Sequence, residues 1–454
     1  MLLEPNNGLI EIATTGILSI GSDVTIRCNI EWRIQNGGES IGELHEEEYS
    51  DYCKLLDELS HLSQNEIRFI SDPFQIKDCQ GDFVIESSDV FITHASQHID
   101  CVANTTSTVV RLKSFFVVVR RASINLSNDC LIIAEISNFA LKTKDRFGPI
   151  SFEINPNLRV VIDRVRPNSR DRFQNGITAD EVRAPSGIIR IFRTGGPLGQ
   201  NISEIEQEFF RIIDPCMVLL DLGESDYHAI LSIHFYEKID ENLRFAFAFY
   251  PKWKSMPPTD EKMTIAPSEW VDFFSNCYPV IKENRMLVKY SDLRGSIDIY
   301  LSSLHTVHSD EEYLLLFMAI ERLIRSSYQQ TDSDKLINEE TFCRLRDLLK
   351  ETMHRFLKAS ETDNETRAKF YENLASLNRY PIKYLIHNFM ITNDSDQWNI
   401  SDIKDLVTLR NNIVHGLGYT LDDNFIDCLS RLKLLYLTAI FRIIGWVKIL
   451  GWIM

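Results

Sequence analysis

The sequence predicts an α+β protein of more than one domain, in which a β-rich N-terminal region is followed by an all-α helical bundle. Before residue 265, short runs of β-branched and aromatic residues alternate with Gly, Pro, Asn and Ser turn signals. After residue 305, apolar residues recur at the three- and four-residue spacing of amphipathic helices. With 454 residues, 44% hydrophobic and 25% charged, the chain is long enough for two or three globular domains.

Residues 1–265 are predicted to form the β-rich domain, as one unit or two subdomains, and it begins with a meander. Strands are predicted at 9–13, 17–20, 24–30, 83–86, 90–92, 109–112, 115–119, 131–136, 158–165, 188–192, 229–235 and 243–250. Apolar residues at helical spacing predict that two helices interrupt the series: a short one within 42–62, with Glu46–Glu48 in its first turn, and one at 203–213.

Residues 305–454 are predicted to be helical throughout, and residues 266–304 are interpreted as a linking segment. Ser309 and Glu312 form a capping-box pattern ahead of a long helix. Ser401 is predicted to cap the helix that leads into residues 410–415. The other helices are predicted at 339–357, 363–377, 382–389 and 424–453.

The sequence indicates a cytoplasmic protein without membrane contact. The apolar run 434–453 has the length of a membrane span, but Arg442 and Lys448 lie within it, so a buried bundle or dimer helix is favoured. The first residues lack the basic and apolar regions of a signal peptide. Nine scattered cysteines without a C-x-x-C pair predict neither a disulfide framework nor a zinc ribbon, and no metal or cofactor is expected.

The net charge of -17 argues against broad binding of nucleic acid. From residue 300 onward there are 18 Lys and Arg against 21 Asp and Glu, or -3, which leaves 30 against 44, or -14, for the preceding part. An acidic body repels a long polyanion, so any contact with RNA must be local.

Residues 408–416, Thr-Leu-Arg-Asn-Asn-Ile-Val-His-Gly, combine the groups that cleave RNA without a metal. Arg410 stays charged at physiological pH and offers a phosphate a planar fork of donors, while the imidazole of His415 can both take and give a proton. On a helix, Asn411 shares a face with His415, but Arg410 points roughly 140° away from it. Gly416 predicts that the helix ends at His415, and a second chain could complete the site.

The Arg-x4-His spacing, with a polar residue directly after Arg410, resembles the motif of the HEPN superfamily of small helical ribonuclease domains. The helices around it, over roughly the last third of the chain, are similar to the Apea-like HEPN branch of bacterial anti-phage defence proteins. The resemblance implies that residues 305–454 are an HEPN helical bundle with metal-independent endoribonuclease activity. Its products would carry 2′,3′-cyclic phosphate ends, with Arg410, His415 and Asn411 as catalytic residues and Asn412 in support.

The resemblance also implies partners and regulation. HEPN sites assemble from two motifs across a dimer, so a homodimer that cleaves RNA is expected. Residues 1–265 would be a sensor that answers a phage-derived activator, and activation would arrest growth and abort infection. Glu321, which interrupts an apolar helix stripe, would pair with Arg410 or orient His415; an intrahelical pair with Arg325 is the alternative.

Two other functions remain open on the sequence alone. The bundle could be a non-catalytic dimerisation or nucleotide-binding module, in which Arg410 caps the carbonyls of its own helix and His415 is a satisfied helix-end histidine. The chain could also neutralise a partner toxin.

Three further patterns are interpreted as structural. His94 and His98 have metal-ligand spacing but lie in β-like sequence, where residues four apart are distant. The Gly-Gly-Pro-Leu-Gly stretch at 195–199 lacks the Gly-Lys-Ser/Thr of a phosphate loop. One basic stretch is either a docking surface or a set of paired surface arginines, the latter favoured; it comprises Arg159, Arg164, Arg166, Arg170, Arg172, Arg183, Arg190 and Arg193.

Overall fold

The structure is a computed structural model of a mixed α+β protein. It describes residues 9–20, 24–35, 40–46, 67–75, 82–100, 105–121, 129–137, 149–164, 186–195, 202–239, 242–251, 264–330, 335–359, 363, 365, 374, 378–392 and 398–446. The chain divides into two compact units, an N-terminal unit of Met1–Ser275 and a C-terminal unit of Asn276–Met454.

The N-terminal unit contains one antiparallel sheet of 13 strands in the described residues. The strands are β1 (Leu9–Ile20), β2 (Val24–Gln35), β3 (Ser40–Glu46), β4 (Ile67–Ser71), β5 (Phe74–Gln75), β6 (Asp82–Asp100), β7 (Thr105–Arg121), β8 (Cys130–Ile136), β9 (Ile150–Asn155), β10 (Leu158–Arg164), β11 (Gly187–Arg193), β12 (Ile230–Ile239) and β13 (Asn242–Pro251). Helix α1 (Ile202–Glu224) connects β11 to β12.

Six of these strands close into a ring. They follow the order β6, β4, β1, β2, β3, β7, and β6 also pairs with β7 along almost its whole length. Leu18, Trp32 and Phe69 are fully buried, and the rings of Trp32 and Phe69 lie 5.6 Å apart. Gly16 is needed at this crossing, because an added Cβ would lie 2.6 Å from the carbonyl oxygen of Ile70.

The remaining sheet extends from β7 in the order β13, β12, β8, β11, β10, β9, and α1 packs against it. The ring of Phe209 on α1 contacts that of Phe235 on β12 at 5.7 Å. The second half of α1, residues 215–224, is buried on every side. This burial includes Asp221 and Glu224, two carboxylates at the end of the helix.

The predicted strand runs lie in the sheet, apart from residues at their ends. The runs 83–86 and 90–92 join in β6, the runs 109–112 and 115–119 join in β7, and β3, β4, β5 and β9 were not predicted. The runs 9–13 and 17–20, predicted as two strands, form the single strand β1, because Gly16 stays extended instead of turning. The short helix predicted within 42–62 lies outside the described residues, except for Glu46, which is the last residue of β3. The helix predicted at 203–213 is confirmed and continues through Pro215 as α1.

The described residues contain seven helices after the sheet. They are α2 (Trp270–Lys282), α3 (Tyr290–Ser303), α4 (Ser309–Gln330), α5 (Glu339–Ala359), α6 (Ile382–Thr392), α7 (Ile400–Val414) and α8 (Asp423–Ile443). Most of the helix predicted at 363–377 lies outside the described residues. No helix in the described part of the chain is both long and apolar enough to cross a membrane.

Residues 266–304, interpreted from sequence as a linking segment, contain α2 and α3, and α3 is part of the bundle. The Ser296 hydroxyl on α3 donates to the carbonyl of Ala319 on α4 at 2.8 Å. The rings of Tyr300 on α3 and Tyr436 on α8 stack at 4.6 Å, and both are fully buried. The serine hydrogen bond therefore joins α3 to α4, and the stacked tyrosines join α3 to α8.

Candidate active site

The helix that carries the motif, α7, is anchored at its first turn and its middle. The Asn399 side chain, not the predicted Ser401, caps it by accepting from the amide of Asp402 at 2.9 Å. Leu406 is buried in the bundle, and its carbonyl accepts a 2.8 Å hydrogen bond from the Tyr313 hydroxyl on α4. In an α-helix that carbonyl also accepts from the amide of Arg410, so Tyr313 holds the turn that presents Arg410.

The helix ends at His415, as predicted from the glycines that follow. His415 is the C-cap residue, and Gly416 has the left-handed φ of +62°. The amide of Gly416 donates to the Ile413 carbonyl at 3.2 Å, and the amide of Leu417 donates to the Asn412 carbonyl at 2.9 Å. This pair of bonds is the Schellman motif, which turns the chain sharply and fixes the backbone at the histidine.

Gly416→Ala is expected to lower the free energy of unfolding by about 1 kcal/mol, because a Cβ in left-handed backbone meets the following carbonyl oxygen. No atom of the described residues lies within 4 Å of the added methyl group, so the loss would come from the backbone alone. Gly418→Ala is the matched control, since Gly418 also has open space but no positive φ. Urea unfolding of both variants checks the prediction, and equal losses would contradict it.

Arg410 is held by two contacts on its own side of the helix. Its guanidinium lies over the ring of Phe317 on α4, with Cζ 5.7 Å from the ring centroid. Its Nη1 donates to the Asn411 side-chain oxygen at 3.1 Å. Phe317 is 1% exposed, whereas Arg410 is half-buried, so a buried ring supports a cation that still reaches solvent.

His415 is exposed, and its imidazole has no hydrogen-bond partner among the residues that the structure describes. Within the described residues, no contact of the kind that a satisfied helix-end histidine requires is found for His415. No hydrogen bond joins Arg410 to His415 within the described residues either, in keeping with their five-residue spacing. Asn411, expected to position the imidazole or the phosphate, instead accepts from Arg410.

The two supporting residues make other contacts. Glu321 accepts from Arg325 Nε at 2.8 Å, which is the intrahelical pair given as the alternative. It nevertheless lies one turn after Phe317 on the same face of α4, and so near the ring that carries Arg410. Asn412 contributes its main-chain carbonyl to the end of the helix.

The turn after His415 is hydrogen-bonded to the first turn of α4. This contact was not predicted from the sequence. The Tyr419 hydroxyl donates to Asp310 Oδ2 at 2.9 Å, across 109 residues of sequence. The Tyr419 ring stacks on that of Phe425, 6.3 Å away, and Phe425 in turn contacts the Tyr313 ring at 5.7 Å. The hydrogen bond lowers the pKa of Asp310 and raises the pKa of Tyr419.

Comparison of the chain with protein-family models, curated proteins and solved structures gave no match.

The other sequence patterns do not form a second site in the described residues. His94 and His98 lie in the single strand β6. Arg190 pairs with Asp163 at 3.1 Å, and Arg159 donates to a serine hydroxyl, whereas residues 165–185 lie outside the described residues. No cluster of three or more His, Cys, Asp or Glu suited to a metal ion occurs in the described ranges.

A group of buried charges in the N-terminal unit also escaped the sequence analysis. The ring nitrogens of His228 lie 3.0 Å from Asp221 Oδ1 and 3.1 Å from Glu224 Oε2, and all three side chains are 0% exposed. Burial alone would lower the pKa of His228, but its hydrogen bonds to the two carboxylates and their charges raise it to about 10. The imidazolium is therefore the counter-ion of α1's buried C-terminal carboxylates.

Proposed function

We propose that the C-terminal unit is an HEPN-type, metal-independent endoribonuclease. The observation that carries the proposal is the state of the two motif side chains. Arg410 is a supported cation open to solvent, and His415 is an exposed imidazole without a hydrogen-bond partner among the described residues. A guanidinium and an imidazole available to a ligand are what acid-base cleavage of a phosphodiester requires.

The proposed reaction is attack of a ribose 2′-hydroxyl on the adjacent phosphorus. The 2′-oxygen forms a bond to phosphorus as the bond from phosphorus to the 5′-oxygen breaks. His415 takes the proton from the 2′-hydroxyl or gives one to the leaving 5′-oxygen, and Arg410 stabilises the negative charge on the pentavalent phosphate. The products are a 2′,3′-cyclic phosphate and a 5′-hydroxyl. Asn411 is assigned the task of orienting Arg410.

We further propose that two copies of the chain complete the site. The imidazole of one copy would act as the base and that of the other as the acid. A second copy would also bring an arginine to a histidine, which the helix of a single chain does not do because Arg410 and His415 point in different directions. Support comes from exposed apolar side chains beside the motif, which range from 49% to 63% exposed: Val414, Leu417, Leu421 and Ile426. Apolar side chains this exposed in neighbouring turns are typical of a surface that another chain covers.

The proposed setting is anti-phage defence, in which cleavage of RNA aborts infection. The acidic N-terminal part would act as the sensor of a phage-derived activator. The net charge of -17 agrees with this setting. An acidic chain does not bind RNA broadly, so RNA would be cleaved only at a local, regulated site.

The test is cleavage of a synthetic RNA by the purified full-length chain in excess EDTA, followed by analysis of the ends. We expect 2′,3′-cyclic phosphate and 5′-hydroxyl ends, with the same rate with and without EDTA. Because the resting protein is expected to be regulated, the assay is repeated with phage lysate added. Ends that carry a 3′-hydroxyl, activity that EDTA abolishes, or no cleavage under either condition would overturn the proposal.

A further inference from the structure

Helix α4 contacts both sides of the proposed active site through a single face. Tyr313 donates a hydrogen bond to the carbonyl of Leu406, one turn before Arg410. Phe317, one turn after Tyr313 on α4, lies under the guanidinium of Arg410. Asp310, in the first turn of α4, accepts from Tyr419 in the segment that follows His415. Helix α4 therefore positions both Arg410 and the segment that follows His415.

The segment 415–422 needs such a restraint. It contains Gly416 and Gly418. In the described part of the chain no atom lies within 4 Å of a Cβ added at either glycine, so packing against these residues does not fix their backbone. The Schellman bonds fix its first residues, and the Asp422 side chain fixes its last by capping α8 at the amide of Phe425. Between these ends, Tyr419 makes the contact with α4.

Both partners of this contact are oriented by further contacts. The second carboxylate oxygen of Asp310, Oδ1, accepts from the amide of Glu311 at 3.1 Å. The Tyr419 ring lies against Phe425, which is 1% exposed. The hydroxyl and the carboxylate are thus each presented by an anchored side chain, which lowers the entropy lost in forming their hydrogen bond.

We infer that Asp310 and Tyr419 form a latch that positions His415 for catalysis. The inference rests on the proposed function. Neither residue touches the reacting atoms; the latch acts by keeping the segment after His415 on α4, so that the imidazole stays in a fixed relation to Arg410. Catalysis is sensitive to such placement, because a shift of about 1 Å costs up to roughly 10²-fold in rate.

The test compares Tyr419→Phe, Asp310→Ala and the double variant with wild type in the full-length chain. Tyr419→Phe keeps the ring on Phe425 and removes only the hydroxyl. Tyr384→Phe is the matched control, because Tyr384 is an exposed tyrosine of the same unit. We expect kcat for RNA cleavage to fall roughly tenfold in each latch variant, with KM changed less than about twofold. The double variant should be no worse than either single variant, since one interaction is lost.

Hydrogen exchange provides a readout that does not need activity. The amides of Gly416 and Leu417, which donate at the helix end, should exchange faster in Tyr419→Phe and stay unchanged in Tyr384→Phe. Unchanged exchange would overturn the latch, whether or not the wild type cleaves RNA. Faster exchange with wild-type kcat, or losses in kcat that add in the double variant, would overturn its positioning role. If the wild type never cleaves RNA, the proposed function fails and exchange alone decides whether the latch exists.

Discussion

Replacing His415 by alanine is expected to lower kcat for RNA cleavage by about 10²- to 10⁴-fold, the usual contribution of a general acid or base. The imidazole is exposed and has no hydrogen-bond partner among the described residues, so its removal leaves no buried group unsatisfied. Stability should therefore stay within about 0.5 kcal/mol of wild type. The measurement is the rate at which 2′,3′-cyclic phosphate ends form, at concentrations matched by circular dichroism.

His354→Ala is the matched control, because His354 is another exposed histidine of the C-terminal unit, on α5. It should retain the wild-type rate.

A mixture of Arg410→Ala and His415→Ala chains tests whether one active site takes its arginine and its histidine from different copies of the chain. If a site needs the imidazoles of both copies, mixed dimers stay inactive. If a site needs only Arg410 of one copy and His415 of the other, mixed dimers contain one intact site and part of the activity returns. Equal rates for wild type and His415→Ala would remove the ribonuclease proposal altogether.

The end of the motif helix was predictable because its signal is local. A glycine directly after an amphipathic helix favours the left-handed C′ position, and Gly416 occupies it with φ +62°. The long helix α4 was predictable for the same reason, since its apolar residues repeat at helical spacing. Even so, α4 begins at Ser309 itself, so the residue predicted to precede the helix is its first member.

The contacts that arrange the site were not predictable, because they join residues far apart in sequence. Phe317 belongs to an apolar stripe, and the stripe does not indicate which of its aromatic rings contacts Arg410. Tyr419 and Asp310 are 109 residues apart, and each alone is an ordinary polar surface residue. Periodicity identifies the buried face of a helix but not the partner that it meets. The same limit applies to the ring of strands, which closes only through the β6–β7 pairing.

His228→Leu is expected to destabilise the N-terminal unit by about 3–5 kcal/mol, the cost of removing one partner from a buried ion pair. His228 lies between Asp221 and Glu224, and none of the three side chains reaches solvent. Without the imidazolium, two carboxylates remain buried at the C-terminal end of α1, where the helix dipole also disfavours negative charge. Urea unfolding, followed by pulse alkylation of the buried thiol of Cys216, reports on this unit.

The effect of His228 should depend on pH in a defined direction. Its folded pKa is raised to about 10 from the ordinary value of 6.5. The stabilisation is therefore fully present below pH 6.5 and is lost as the pH rises towards 10. The difference between wild type and His228→Leu should be largest near pH 6 and smaller at pH 9. A difference that grows with pH would contradict the charged form of His228.

A second substitution separates the lost ion pair from lost packing. Adding Glu224→Gln to His228→Leu removes one of the stranded charges, so the double variant should be more stable than His228→Leu alone. Glu224→Gln in the wild-type background should instead destabilise, because it takes a counter-ion from the imidazolium. This reversal of sign is specific to an ionic group. If Glu224→Gln destabilises both backgrounds equally, His228 contributes by volume alone, and the buried charges are not coupled through it.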